Sequence, residues 1–95
     1  MAIIQLPSAL KAYVDHKSEV EVSGANVLEA LESLAKAYPS IRQHIFDSNG
    51  APRSFINAFI GETNIKSLGG FDAQIDDKTV LTLIPAIAGG AAQSK

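Results

Sequence analysis

Few side chains in this sequence are placed to do chemistry. His16 and His44 lie far apart, and neither is spaced from the other or from a carboxylate pair as metal ligands are, so both read as surface or loop histidines. Asp76-Asp77 could face a cation, but Lys78 and an apolar run follow at once, which is the pattern of a turn entering a strand. Gly69-Gly70 has neither the G-x-G-x-x-G spacing nor a following helix, so it is not a phosphate loop. Ser8, Ser23 and the other hydroxyls sit in no nucleophile motif, and the absence of cysteine removes disulfides, zinc–thiolate sites and thiol nucleophiles together. No catalytic residue, metal site or bound cofactor is expected, and the chain does not read as an enzyme. What remains is main chain. Gly89 and Gly90 close the run Leu81-Thr-Leu-Ile-Pro-Ala-Ile-Ala-Gly-Gly90, and without Cβ atoms they can lie extended in a narrow groove. Pro85, with φ fixed and no N–H, is expected to end regular pairing after Ile84. The segment 89–95, ending in the polar Ala91-Ala-Gln-Ser-Lys95, reads either as a flexible tail that probes a partner or as a frayed end.

The elements that must carry this tail fit one domain. Ninety-five residues close a single core, and 46% hydrophobic with 19% charged residues suits a globular chain and argues against disorder. The net charge of −2 is small and the signs are mixed, so no basic stripe points to nucleic acid. No apolar run approaches the roughly 20 residues of a membrane span, and the start lacks the pattern of a signal peptide. A cytoplasmic protein is expected, with a domain over 1–88 and the tail over 89–95.

Along the chain, 2–6 is a short β-branched run stopped by Pro7, 8–17 reads as a loop with a short turn, and 18–23 alternates Val20 and Val22 with glutamates as a half-buried strand. The clearest helix is 26–38. Asn26 is its N-cap, Glu29 stands where a capping-box acid belongs, an apolar stripe runs through Leu28, Leu31, Leu34 and Ala35, and Pro39 stops it. A short helical piece over 41–46 turns Ile41, Ile45 and Phe46 inward. A surface loop over 47–54, a strand over 55–60, a turn over 61–64, an irregular stretch over 65–74, a turn over 76–78 and a last strand over 79–84 complete the chain. One substantial helix covers one face of a sheet, so the economical arrangement is α+β, a mixed sheet packed on one main helix: a β-grasp, or ubiquitin-like, roll.

Strand parity then sorts side chains. Ile56, Ala58, Ile60, Leu81 and Leu83 should face the helix, leaving Phe55, Phe59, Thr82 and Ile84 on the opposite face beside Pro85. Those five are the candidate docking patch for a partner, unless loops cover them.

With this order and this terminus, the chain resembles the ThiS/MoaD family of ubiquitin-like sulfur carriers over residues 2 to 90. The residues concerned are Ile84-Pro-Ala-Ile-Ala-Gly-Gly90, and Ser23-Gly-Ala-Asn26, Phe55-Ile-Asn-Ala-Phe59 and Leu68-Gly-Gly70 are most similar to the branch that carries sulfur for cysteine synthesis. The resemblance implies that an ATP-using, ubiquitin-activating-type adenylyltransferase adenylates the carboxylate of Gly90. A sulfur donor then displaces AMP to leave a thiocarboxylate for a sulfur-acceptor synthase. This chain departs from most of the family by continuing past Gly90. The resemblance implies that a JAMM-type metalloprotease cuts the Gly90–Ala91 bond first. The small subunit of molybdopterin synthase, a protein modifier joined through Gly90 to a lysine, and a plain interaction module are the competing readings.

Overall fold

In Glu19–Val22 (β2) the valines are buried and the glutamates exposed, as alternation requires. The strand pairs antiparallel with Ala2–Gln5 (β1), from Ala2 opposite Val22 to Gln5 opposite Glu19. A computed structural model of the chain describes residues 1–53 and 56–85.

Between these strands the expected loop is in fact helical. Ser8–Lys11 (α1) runs into a 3₁₀ turn over Ala12–Val14, because Pro7 does not break the helix but stands extended at its N-cap position. Leu10 and Val14, four residues apart, give the segment a buried apolar side. It ends where Asp15 and His16 adopt positive φ, at 57° and 62°.

The main helix is Val27–Ala37 (α2). Asn26 accepts the Glu29 N–H at 2.8 Å through its side chain, and Glu29 reaches back to the Ala25 N–H at 2.9 Å, one residue before the usual capping-box donor. Val27, Ala30, Leu31, Leu34 and Ala35 are its buried stripe. Leu31 and Leu34 are fully buried, each worth about 1.5–3 kcal/mol in apolar area removed from water. Beyond Tyr38, a 3₁₀ turn over Pro39–Ile41 leads into Arg42–Ile45 (α3), and Ile41, Ile45 and Phe46 point inward as their pattern predicts.

Ile56–Ile60 (β3) turns tightly at Gly61 into Thr63–Asn64 (β4), a fourth strand where the sequence reads as turn alone. Two 3₁₀ turns follow, Ile65–Leu68 and Gly70–Asp72, and Val80–Pro85 (β5) is the last strand. The five strands form one sheet in the order β2-β1-β5-β3-β4. β5 runs parallel to β1 and antiparallel to β3, and the α2 stripe packs on the face carrying Ile4, Val20, Val22, Ala58, Leu81 and Leu83. This is the expected α+β β-grasp. One correction concerns Pro85: pairing does not stop at Ile84, since Pro85 stands opposite Ile56 in the β3–β5 ladder. The β1–β5 register ends at Gln5 and Thr82, so β5 has a neighbour on one side only by then, and proline is tolerated at such a strand end.

Candidate functional site

The sheet face turned away from α2 carries one row of residues across all five strands. Glu19 stands opposite Gln5, Gln5 beside Thr82, Thr82 opposite Phe59, and Phe59 opposite Asn64. Half of this row is tied by hydrogen bonds: the Thr82 hydroxyl donates to Gln5 Oε1 at 3.1 Å, and Gln5 Nε2 donates to Glu19 Oε2 at 3.0 Å. An oriented polar chain therefore leads to Thr82, next to which lies the half-buried Phe59 ring.

Along β5, Val80, Thr82 and Ile84 share this face, as every second residue must. Val80 is 38% and Ile84 45% exposed, far more than the buried Leu81 and Leu83 between them. The face is thus apolar at Ile84, polar at Thr82 and apolar again at Val80, where Ile3 is its neighbour on β1. Chemically it can bury a partner's apolar side chains and fix their position against Thr82. The helix-side assignments of Ile56, Ala58, Leu81 and Leu83 hold, with Ile60 half-buried.

Of the proposed patch, Phe59, Thr82 and Ile84 lie together on the outer face. Phe55 and the side chain of Pro85 lie outside the described residues, as do Gly89, Gly90, Ala91 and the bond between the last two. Gln5, Glu19, Val80 and Ile3 were missed as members of this face. The alternation of β1 marks Ile3 and Gln5 as outward, but only the parallel register with β5 sets them beside Val80 and Thr82.

A cleft of about 390 Å³ opens on the β1 side of β5, where Leu6 and Pro7 leave the sheet and Leu83 and Ile84 continue. The cleft shares Gln5, Glu19 and Thr82 with the row.

The other sequence candidates stay apart from this face. Asp76 closes a turn, accepting the Lys78 N–H at 2.8 Å and the Thr79 hydroxyl at 3.1 Å, which together hold its carboxyl below the ordinary value. His16 is exposed in the turn after Val14, whereas His44 lies on α3 and not in a loop. Its ring stacks on Tyr13 with centroids 4.0 Å apart, and its Nε2 is buried without a hydrogen-bond partner among the described residues. Among those residues no group of His, Asp or Glu could hold a metal ion, and no helix is long and apolar enough to cross a membrane.

Residues 4–90 match the ThiS family, a span that begins within β1, runs through β5 and stops on Gly90. The chain belongs to the ThiS family. Among curated relatives, the sulfur carrier protein CysO of Mycobacterium tuberculosis is 26% identical over 89 residues, which cover 92% of this chain and 96% of that protein. A chain in the crystal structure of the Amycolatopsis orientalis BexX/CysO complex superposes with a TM-score of 0.83 at 27% identity, covering 95% of this chain and all of that one. The small archaeal modifier protein 1 of Methanosarcina acetivorans superposes at 0.85 with 25% identity, covering 94% and 95% of the two chains. These similarities run the full length of the roll, so the shared feature is the whole sheet with its last strand and not a local motif.

Proposed function

We propose that this protein is a sulfur carrier whose working group is the main-chain carboxyl of Gly90. The observation that carries the reading is the family match through residue 90, on a chain whose last two matched residues are Gly89-Gly90. The relatives named as sulfur carriers support it, as does a sheet whose open face leads along β5 to the tail.

While the Gly90–Ala91 peptide bond is intact there is no carboxylate at Gly90. Hydrolysis of that bond, which we assign to a JAMM-type metalloprotease, adds water and releases the amine of Ala91. An oxygen of the new carboxylate then attacks the α-phosphorus of ATP on a ubiquitin-activating-type adenylyltransferase, and pyrophosphate leaves. A sulfide-level donor attacks the acyl carbon, AMP leaves, and a thiocarboxylate remains. ATP belongs to the activating enzyme, and this chain contributes a slim tail and a docking face. A synthase of cysteine or a related sulfur metabolite takes the sulfur, a choice supported by the CysO relatives.

The experiment is the intact mass of the protein isolated from its native cells under mild reductant. A population ending at Gly90, part of it carrying sulfur in place of oxygen, is the expected result. Chain extending past Gly90 alone, under sulfur-starved and sulfur-replete growth alike, would overturn the reading. The likeness to small archaeal modifier protein 1 favours a second reading, a modifier joined through Gly90 to lysines of other proteins. Covalent adducts that survive denaturant and depend on Gly90 would select it.

A further inference from the structure

The cleft beside β5 has two unlike ends. Half-buried Pro7 and exposed Ile84 are apolar, whereas Ser18 and Glu19, both exposed, are polar. Among the described residues that border it, Glu19 alone carries charge, and its carboxylate pairs with no cation among the described residues. Lys17, two positions earlier, is turned elsewhere, with Nζ 5.9 Å above the centroid of the Tyr38 ring.

The polar chain determines what the acidic end offers. A carboxylate can only accept, so Gln5 must turn its amide NH₂ toward Glu19 Oε2, which it meets at 3.0 Å, and its Oε1 toward Thr82. Reversing the amide would set oxygen against oxygen at Glu19. Glu19 is therefore held in place by a neutral donor that leaves its charge uncompensated, and its Oε1 has no hydrogen-bond partner among the described residues. A carboxylate tethered in this way costs less to order when a cation arrives.

The separation of the two ends selects the occupant. Glu19 and Thr82 stand on the strands either side of β1, and Ile84 follows on the same face of β5. Carboxylate and apolar end are thus about two strand spacings apart, roughly 10 Å. A long side chain with methylenes below and a cation at its tip can touch both, and a short polar one cannot. Of the two basic side chains, arginine has the planar fork of donors that fits a carboxylate.

From this geometry we propose that the cleft receives an arginine of a partner protein, its stem along Pro7 and Ile84 and its guanidinium on the Glu19 carboxylate. The proposal rests on the reading of the outer face as a docking face and is independent of the chemistry at Gly90. It adds a charged contact, and hence a choice among partners, to a face whose other exposed residues are mostly apolar.

The test uses the whole chain, isotopically labelled, titrated with the peptide acetyl-Leu-Arg-Leu-amide while backbone amides and the Gln5 side-chain NH₂ are followed. Shifts are expected at Gln5, Ser18, Glu19, Thr82 and Ile84. Binding should weaken as salt rises and fall about two- to five-fold in Glu19→Gln, which removes the charge at an exposed position and keeps an acceptor for Gln5. The citrulline peptide acetyl-Leu-citrulline-Leu-amide, the same shape without the charge, should bind correspondingly less well. The proposal is overturned if the arginine peptide shifts nothing there up to its solubility limit, if the citrulline peptide does equally well, or if Glu19→Lys binds unchanged. It also fails if shifts spread evenly over the exposed carboxylates, or if free arginine reproduces them at lower concentration and so marks a small-molecule site. None of these outcomes bears on the mass of the tail, so the cleft and the carrier reading stand or fall separately.

Discussion

Ile56 stands opposite Pro85 at the end of the β3–β5 ladder, and the N–H of Ile56 bonds back to the Arg53 carbonyl at 3.1 Å. A proline has no N–H to give a neighbouring strand, and here its partner's N–H is already used within its own turn. The ladder therefore reaches Pro85 without leaving that donor unpaired, and β5 stays paired through its last described residue.

The proposed docking face makes the first prediction. Ile84→Asp places a charge on an exposed outer-face position without touching the core. Pyrophosphate release by the activating enzyme, measured with chain ending at Gly90, should slow about ten-fold at subsaturating carrier, while the thermal midpoint moves little. Equal rates for both proteins would remove Ile84 from the interface.

Gly24 lies against the start of α2. A Cβ there would sit 2.8 Å from the Ala30 backbone N and 2.9 Å from Glu29 Cβ, closer than unbonded atoms allow, and φ is +157°. Gly24→Ala should cost about 1–3 kcal/mol in urea unfolding, because the obstacle is helix backbone and not a movable side-chain end. A midpoint unchanged in that titration would show that β2 and α2 separate easily.

The α2 cap gives a graded effect. Asn26→Ala should destabilise by about 0.5–2 kcal/mol, since it removes the acceptor for the Glu29 N–H. In a double-mutant cycle with Glu29→Ala the losses should not add, because the two side chains hold one turn reciprocally. Strict additivity would mean that the two bonds act independently.

Asp76 sets an acid limb. Its carboxyl is held low first by the Lys78 N–H and then by the Thr79 hydroxyl, so its folded value lies below the ordinary 3.8. A depressed carboxylate stabilises the fold above the unfolded value, and that contribution is lost as pH falls from about 3.8 through the folded value. Thermal melts from pH 5 downward should show a shallower decline for Asp76→Asn than for the parent chain. Parallel declines would assign the acid limb to other carboxylates.

The parts of this fold that were legible in sequence are those whose signals are local. Asn26, Glu29, the stripe through Leu31 and Leu34, and Pro39 lie within fourteen positions and mark α2 from cap to stop. Parity within β3 and β5 placed Phe59, Thr82 and Ile84 on one face for the same reason. Residues 8–14 were misread because Pro7 looks the same whether it ends a strand or precedes a helix, and the spacing of Leu10 and Val14 is too short to decide. Thr63–Asn64 carries too little pattern to declare a strand until β3 is beside it. The full row on the outer face rests on Gln5 meeting Thr82, 77 positions apart, and no local spacing encodes that register.

β5 is the strand both edges of the sheet require. The hairpin of β1 and β2 and the hairpin of β3 and β4 share no neighbour except β5, and β5 is the last of the five to leave the ribosome. Until then the two hairpins have no strand to join them, and joining them demands contacts between distant parts of the sequence, a slow step in folding. The row from Glu19 to Asn64 does not exist before that closure. Under the proposed function, a partner that grips this row while taking the tail would engage only chains in which β5 has closed the sheet.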